Sequence, residues 1–518
     1  MVTVSGCRKV QSDKNHRIWV WPAPRLLPSS PSGHSTFETL FLMAVALLTL
    51  DVSNLSAQSL TVLHSFSAAS DWPPTNSDGA QPDHAGLVLS GNILYGTTYY
   101  GGTNGNGVVF SVDTAGNNFA VLHTFTATPS PAYTNLDGQA PQGGLVLLAD
   151  RLYGTALLGG TNGSNGTVYS ITTNGTSFVM LHSFDSVNDG ADPVGPLVVF
   201  DHRLYGVTGT GGTNGGHGTV FAVNTDGTDF RVLHALSEAD GDLPSSGLLL
   251  SGGTLYGTAA YRGTNDNGTV FSVNTNGSSF TLLHTFSPTT SPAYTNFDGA
   301  HPQASLVQSG DRLYGTATDA GPYTLDGGTL FSVTTNGGDF KVVHAFTSGW
   351  DGGSPVGLML VGGTLYGVTE VGGATGNGVV FSVDINGSNF SAPHSFGTVS
   401  YLSYTNFDGV FPEGALVLSG NTFYGTTAFG GSGGNGTVFA LSVVPSITGI
   451  SATGTTFIIN GINSVAGESC IVLASTNLTL QLSDWTPVVT NVFTGSTFTI
   501  SNGVNPNASQ QFYILHTY

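Results

Sequence analysis

Short apolar runs bounded by Gly, Asn and Asp recur along almost the whole chain. One set reads GLVLSG from Gly86, ILYGTT from Ile93, GVVFSV from Gly107 and FAVLHTF from Phe119. Between these runs stand a double glycine (Gly101-Gly102), a polar TNGNG loop and an Asn/Asp/Gly turn. Runs of this length framed by turn residues predict four short β-strands per unit. Each unit carries Leu/Phe-Tyr-Gly, with its tyrosine at Tyr95, Tyr153, Tyr205, Tyr256, Tyr314, Tyr366 and Tyr424. The intervals are 58, 52, 51, 58, 52 and 58 residues. Seven four-stranded units of that length predict a propeller rather than a solenoid.

The phase of the repeats predicts how the ring closes. A second motif, LHxF in most copies, places histidines at His64, His123, His182, His234, His284, His344 and His394. Its first copy precedes the first Leu-Tyr-Gly, and no copy follows the last unit, which ends at Gly436–Val443. An open ring would leave an unpaired strand edge. The strand Leu60–Phe66 is therefore expected to complete the last blade. Beyond Pro445 both motifs stop, but alternating runs continue as TTFIING, CIVLAST, TFTISN and QFYILH. This predicts a small β-sandwich over 445–518, with Trp485, Phe512 and Tyr513 as core anchors. The expected fold is all-β: a seven-bladed propeller over 58–444 plus the sandwich.

Composition agrees and narrows the function. Glycine is 74 of 518 residues and only 8% of residues are charged, while the hydrophobic fraction is 39%. That excludes an acidic disordered chain, and the net charge of −20 argues against nucleic-acid binding. Leu40–Leu50 is an eleven-residue apolar run preceded by Arg8, Lys9, Lys14, Arg17 and Arg25. This pattern predicts a signal peptide over 1–57 with cleavage after Ala57, and no membrane-spanning segment in the mature chain. Cleavage would remove Cys7 and leave Cys470 alone, so no disulfide framework is expected.

The unit LYGTT…GG…NGTVFSV…NG..F..LH.F resembles the GloVer repeat of bacterial exported proteins, over residues 59–443. The resemblance implies a secreted or surface protein and no established activity. The tail ASTNLTLQLSDWTPV…QQFYIL is similar to a C-terminal β-domain of exported bacterial proteins. The blade layout also resembles kelch repeats, with Phe where kelch has Trp.

Candidate chemistry follows from what repeats and what does not. Seven equivalent histidines on seven blades cannot converge on one metal, so they are expected to be structural. Asp-Gly-x-x-Pro loops begin at Asp78, Asp137, Asp189, Asp240, Asp298, Asp351 and Asp408, and fit tight turns. Asp78, Asp137, Asp298 and Asp408 are the weak calcium candidates; no other cofactor is expected. The distance from His to Asp-Gly is 14, 14, 7, 6, 14, 7 and 14 residues. The four long loops carry Trp72 with Asn76, Tyr133 with Asn135, Tyr294 with Asn296, and Tyr404 with Asn406. Aromatic faces beside amides suit sugar recognition, with a loop-tethering role as the alternative. Around a closed ring, Tyr404, Trp72 and Tyr133 are expected on one sector and Tyr294 apart.

The turns NTDGTDF from Asn224 and DINGSNF from Asp384 faintly resemble sialidase Asp-boxes, but no three-arginine clamp is evident. A galactose-oxidase-type copper site is excluded by the lack of a propeller cysteine. The resulting expectation is a monomeric, exported, non-catalytic scaffold that binds glycans or envelope polymers. The alternatives are a secreted polysaccharide lyase or glycoside hydrolase, with Glu370, Glu413 and Glu238 as acids to inspect, and a purely structural adhesin.

Overall fold

The computed structural model describes residues 59–518 except 71–73, 83–85, 401–402, 454–455, 463, 477–479, 481, 504–511 and 518. The expected signal segment and Trp72 lie outside the described residues. Among those residues no helix is long and apolar enough to cross a membrane. Gln58–Val443 forms one compact unit and Val444–Tyr518 belongs to another.

The first unit is a seven-bladed β-propeller. Blade 1 runs Val88–Ser90, Ile93–Thr98, Val108–Asp113 and Ala120–Thr124, from innermost to outermost strand. Six further antiparallel sheets repeat this order, and blade 5 splits its first strand into Ala300–Pro302 and Val307–Ser309. The last blade takes its outer strand from the other end of the chain. Ser59–Ser65 pairs antiparallel with Thr437–Ser442, from Ser59↔Ser442 to Ser65↔Thr437 with a register shift between Val62 and His64. The ring closes as the motif phase predicts.

The glycine of Leu-Tyr-Gly is a matter of space. In every blade it faces an aromatic residue of the third strand, as in Gly96↔Phe110, Gly154↔Tyr169 and Gly257↔Phe271. A Cβ on Gly257 would stand 2.6 Å from Phe271 Cζ and 2.9 Å from Leu248 Cδ2. Gly257→Ala is therefore expected to overpack the blade and cost about 1–3 kcal/mol. Gly363, with nothing within 4 Å of its Cβ position, supplies the control. Gly363→Ala should change stability by no more than about 0.5 kcal/mol in the same urea titration.

Apolar packing runs on from each blade into the next. Leu63, Phe66 and Val438 of blade 7 join Leu87, Leu94 and Phe110 of blade 1 in one buried cluster. Equivalent clusters join blades 1 and 2, 2 and 3, 3 and 4, 4 and 5, and 5 and 6. Between blades 6 and 7, Phe396 meets Phe439 edge-on at 5.5 Å.

Among the described residues the C-terminal unit has two three-stranded sheets. Ser446–Thr453, Thr456–Ile462 and Thr497–Gly503 form one; Thr486–Val492, Ser469–Ser475 and Phe512–Thr517 form the other. Ile459, Phe498 and Ile500 from the first pack with Cys470 and Val472 from the second, as a sandwich requires. Trp485 is buried, and its indole N–H donates to the Leu480 carbonyl at 3.3 Å. The side chains of Phe512 and Tyr513 lie outside the described residues.

Candidate functional site

The repeated histidines and aspartates belong to the blade seams. His64 Nε2 lies 3.0 Å from Asp78, in the loop leading from blade 7 to blade 1. The same carboxylate accepts from the Ser67 amide at 3.0 Å and from the Ser67 hydroxyl. The imidazole stacks on Phe119 of blade 1, with centroids 3.6 Å apart and planes 7° apart. His123, His182, His234, His284 and His344 repeat the arrangement with their own Asp-Gly aspartates and with Phe178, Phe230, Phe280, Phe340 and Phe390 of the next blade. His394 meets Asp408 at 3.1 Å, and Leu60 stands at the sequence position that Phe fills elsewhere. Burial works against ionisation of Asp78 and Asp351. Hydrogen bonds from His64 and Ser67, and from His344 and Thr347, outweigh it and hold both carboxyls below their usual range.

These contacts bear on the calcium candidates. The carboxylates of Asp78, Asp137, Asp298 and Asp408 accept hydrogen bonds from histidine, backbone amide and hydroxyl groups, so their oxygens face donors rather than an open cage. Among the described residues, no three His, Cys, Asp or Glu side chains stand together where a metal could be held.

The asparagines are also consumed by the loops. Asn76 donates to the Ser67 and Gly79 carbonyls and accepts from the Gly79 and Gly102 amides, using the full capacity of its amide. Asn135 and Asn296 repeat this pattern, and Asn406 adds Asp408. Each of these amides, expected from the sequence to partner a ligand, ties its long loop to the second-to-third-strand loop of the following blade.

The aromatics differ. Tyr133, Tyr294 and Tyr404 are 55%, 55% and 54% exposed. Each has φ between 50° and 53°, and each amide donates to the carbonyl four residues earlier, at Pro129, Thr290 and Ser400. The residue just before Asp-Gly adds Leu136, Phe297 and Phe407, all more than 70% exposed. Sequence reading missed Trp350, 67% exposed, because its loop is short. Trp350 stands at the junction of blades 5 and 6. Tyr294, expected to stand apart, is therefore followed around the ring by Trp350 and then by Tyr404 and Phe407.

At the inner end of these loops, the residue before the proline adopts a left-handed conformation in every blade: Gln81, Ala140, Asp192, Leu243, His301, Ser354 and Phe411, with φ of 49° to 56°. Its identity changes from blade to blade, and polar chemistry gathers on blades 3 to 5. Thr210 donates to Asp192 at 2.7 Å. His217 Nδ1 lies 3.4 Å from Asp242. Arg262 lies 3.4 Å from Asp266, 3.7 Å from Glu238 and 3.9 Å from Asp242. His301 Nδ1 lies 2.6 Å from Asp319, and its ring is 4.5 Å from that of Tyr261. The signal for this cluster was the departure from consensus at one repeated position. Of the acids proposed for inspection, Glu238 is the partner of Arg262. Glu370 lies in Thr364–Val371, the second strand of blade 6, and Glu413 in the loop entering blade 7.

No curated protein sequence matches the chain. Among solved structures, it is similar to PorZ, a bacterial surface component of the type-IX secretion system of Porphyromonas gingivalis. Identity is 10%, coverage 85% of this chain and 60% of that one, and TM-score 0.48. It is also similar to an oligogalacturonate lyase from Vibrio parahaemolyticus, at 11% identity, 74% and 93% coverage, and TM-score 0.46. Likeness at this level bears on neither activity nor ligand. The Gloeobacter/Verrucomicrobia repeat matches residues 49–216 and 201–363, which together span more than half of the 518 residues. Blades 6 and 7 continue the same motifs beyond the matched segments, and the chain belongs to this repeat family.

Proposed function

We propose that the protein is an exported, monomeric propeller that binds a glycan or envelope polymer without transforming it. The binding surface is the face formed by the outer-to-inner crossing loops. The observation that carries this reading is the threefold repeat of an exposed tyrosine in the left-handed backbone region. A bulky residue there costs about 1–3 kcal/mol and persists where the surrounding structure over-determines it. These rings are half exposed, so packing alone does not account for them. Tyr294 with Phe297, Trp350, and Tyr404 with Phe407 offer flat apolar faces at three consecutive blade junctions, which suits stacking against sugar rings. Export is supported by the apolar run at Leu40–Leu50 behind basic residues. Cleavage after Ala57 would leave the ring-closing strand intact.

The test is a glycan array probed with the purified propeller and with Trp72→Ala, Trp350→Ala and Tyr404→Ala. Loss of one aromatic stack is worth about 0.5–1.5 kcal/mol, roughly a two- to tenfold weakening per variant. Unchanged binding in all three variants would remove this surface. Binding to no glycan at all would favour the structural adhesin.

A further inference from the structure

With the asparagines consumed by their loops, the polar contacts that a saccharide requires must come from elsewhere on the same face. One polar group there is built once rather than seven times. We propose that Tyr261, His301 and Asp319 form a hydroxyl-reading subsite at the inner end of the loop joining blades 4 and 5, and that the saccharide taken there is uncharged. This rests on the glycan reading above.

The geometry of His301 suits that role. Its Nδ1 lies 2.6 Å from the Asp319 carboxylate, which can only accept, so in the neutral ring Nδ1–H donates to it and Nε2 is the acceptor. Nε2 makes no hydrogen bond among the described residues, whereas the seven motif histidines all spend Nε2 on a seam aspartate. The backbone is pinned at both ends: the His301 amide donates to the Asn267 carbonyl at 3.0 Å, and Thr318 Oγ1 donates to the His301 carbonyl at 3.0 Å. Tyr261, 41% exposed, flanks the imidazole. The same loop carries the exposed Tyr294 and Phe297 seven and four residues earlier. One crossing loop thus offers stacking rings toward the rim and an oriented hydrogen-bonding pair at its inner end, the combination a sugar needs.

The charge distribution sets the ligand class. Only six basic residues follow position 57: Arg151, Arg203, Arg231, Arg262, Arg312 and Lys341. Five lie at the opposite end of the strands. There Arg151 donates to Ser170 and Ser177, Arg203 and Arg231 pair with Asp229, and Arg312 and Lys341 pair with Asp339. The loop face has Arg262 alone, and Glu238, Asp242 and Asp266 surround it. A polyanion such as a polyuronate would meet carboxylates here without a free cation to offset them, and like-charge approach opposes association.

The experiment is affinity electrophoresis of the full chain through gels containing either a neutral β-glucan or polygalacturonate, with thermal melting as the folding control. Retention of the wild type by the neutral glucan and not by polygalacturonate is expected. His301→Ala should weaken neutral retention at least tenfold with an unchanged melt, since alanine already occupies the equivalent left-handed position at Ala140. His301→Gln, which keeps an acceptor, should restore part of it. The exposed pair change Glu238→Gln with Asp266→Asn should bring on polygalacturonate retention by uncovering Arg262, with neutral retention unchanged. If Tyr294→Ala weakens neutral binding and His301→Ala does not, the subsite is wrong while the rim reading stands. Equal retention of the wild type by both polymers would overturn the charge assignment alone. Retention by neither, with no glycan bound on the array, would remove both readings together.

Discussion

Deleting residues 59–65 is expected to convert a stable ring into an aggregating one, and Phe66→Ala alone should cost about 3–5 kcal/mol. The strand does three things at once. It supplies the backbone partners of Thr437–Ser442 from Ser59↔Ser442 to Ser65↔Thr437. It buries Leu63 and Phe66 in the cluster joining blades 7 and 1, where Phe66 meets Phe110 edge-on at 5.4 Å. It also carries His64, whose imidazole ties Asp78 and stacks on Phe119. Without it, Thr437–Ser442 becomes an exposed edge with an apolar seam beside it, and such edges pair with other chains. The loss cannot stay local, because closure holds the first and last blades of a chain whose other junctions are sequential. Size-exclusion chromatography and guanidinium titration of the deletion, Phe66→Ala and wild type would read this directly. A monomeric deletion variant with an unchanged midpoint would show that the ring does not depend on its clasp.

That clasp was legible because it is a counting argument. Seven Leu/Phe-Tyr-Gly copies and seven histidine motifs offset by one strand admit few arrangements, and strand alternation did the rest. The roles of side chains within the repeat were harder to read. Asn76, Asn135, Asn296 and Asn406 look like ligand-facing amides beside aromatics, yet an amide in a long loop is also the group best able to satisfy four backbone partners at once. Sequence order could not separate these uses, because the partners at Gly102, Gly160, Gly321 and Gly431 lie 25 or 26 residues away. Trp350 is not marked by loop length, because the loop that carries it is one of the short ones. His301 is not marked by the repeat, because the asymmetry of the face lies at a position whose backbone repeats and whose side chain does not. The face-to-face stacking of six of the seven histidines on the next blade's phenylalanine needs the ring geometry itself, since only closure brings Phe119 to His64.

Asp78 and Asp351 should shape the response to acid, and Asp78→Ala should destabilise the propeller by about 3–5 kcal/mol. Removing the carboxylate leaves His64 Nε2, the Ser67 amide and the Ser67 hydroxyl without their acceptor. Each partly buried donor left unpaired costs about 1–3 kcal/mol, less than additively because the three share one site. Protonation makes the same change reversibly. Asp78 and Asp351 titrate below the usual 3.8 because hydrogen bonds to the charged form outweigh burial. A carboxyl depressed by folding adds stability that is fully present above its unfolded value and is lost as the pH falls through its lower folded value. Stability should therefore hold down to about pH 4 and fall below it. In Asp78→Asn with Asp351→Asn, stability should be lower at neutral pH and the acid limb shallower. Phe230→Leu should be milder than either, since blade 7 already places Leu60 at the position that Phe230 fills in its own blade. Urea midpoints for wild type and the two asparagine variants, measured between pH 3 and pH 7, decide the matter. Parallel curves across that range would mean that the histidine–aspartate seams are passengers, and that the interblade apolar clusters alone hold the ring.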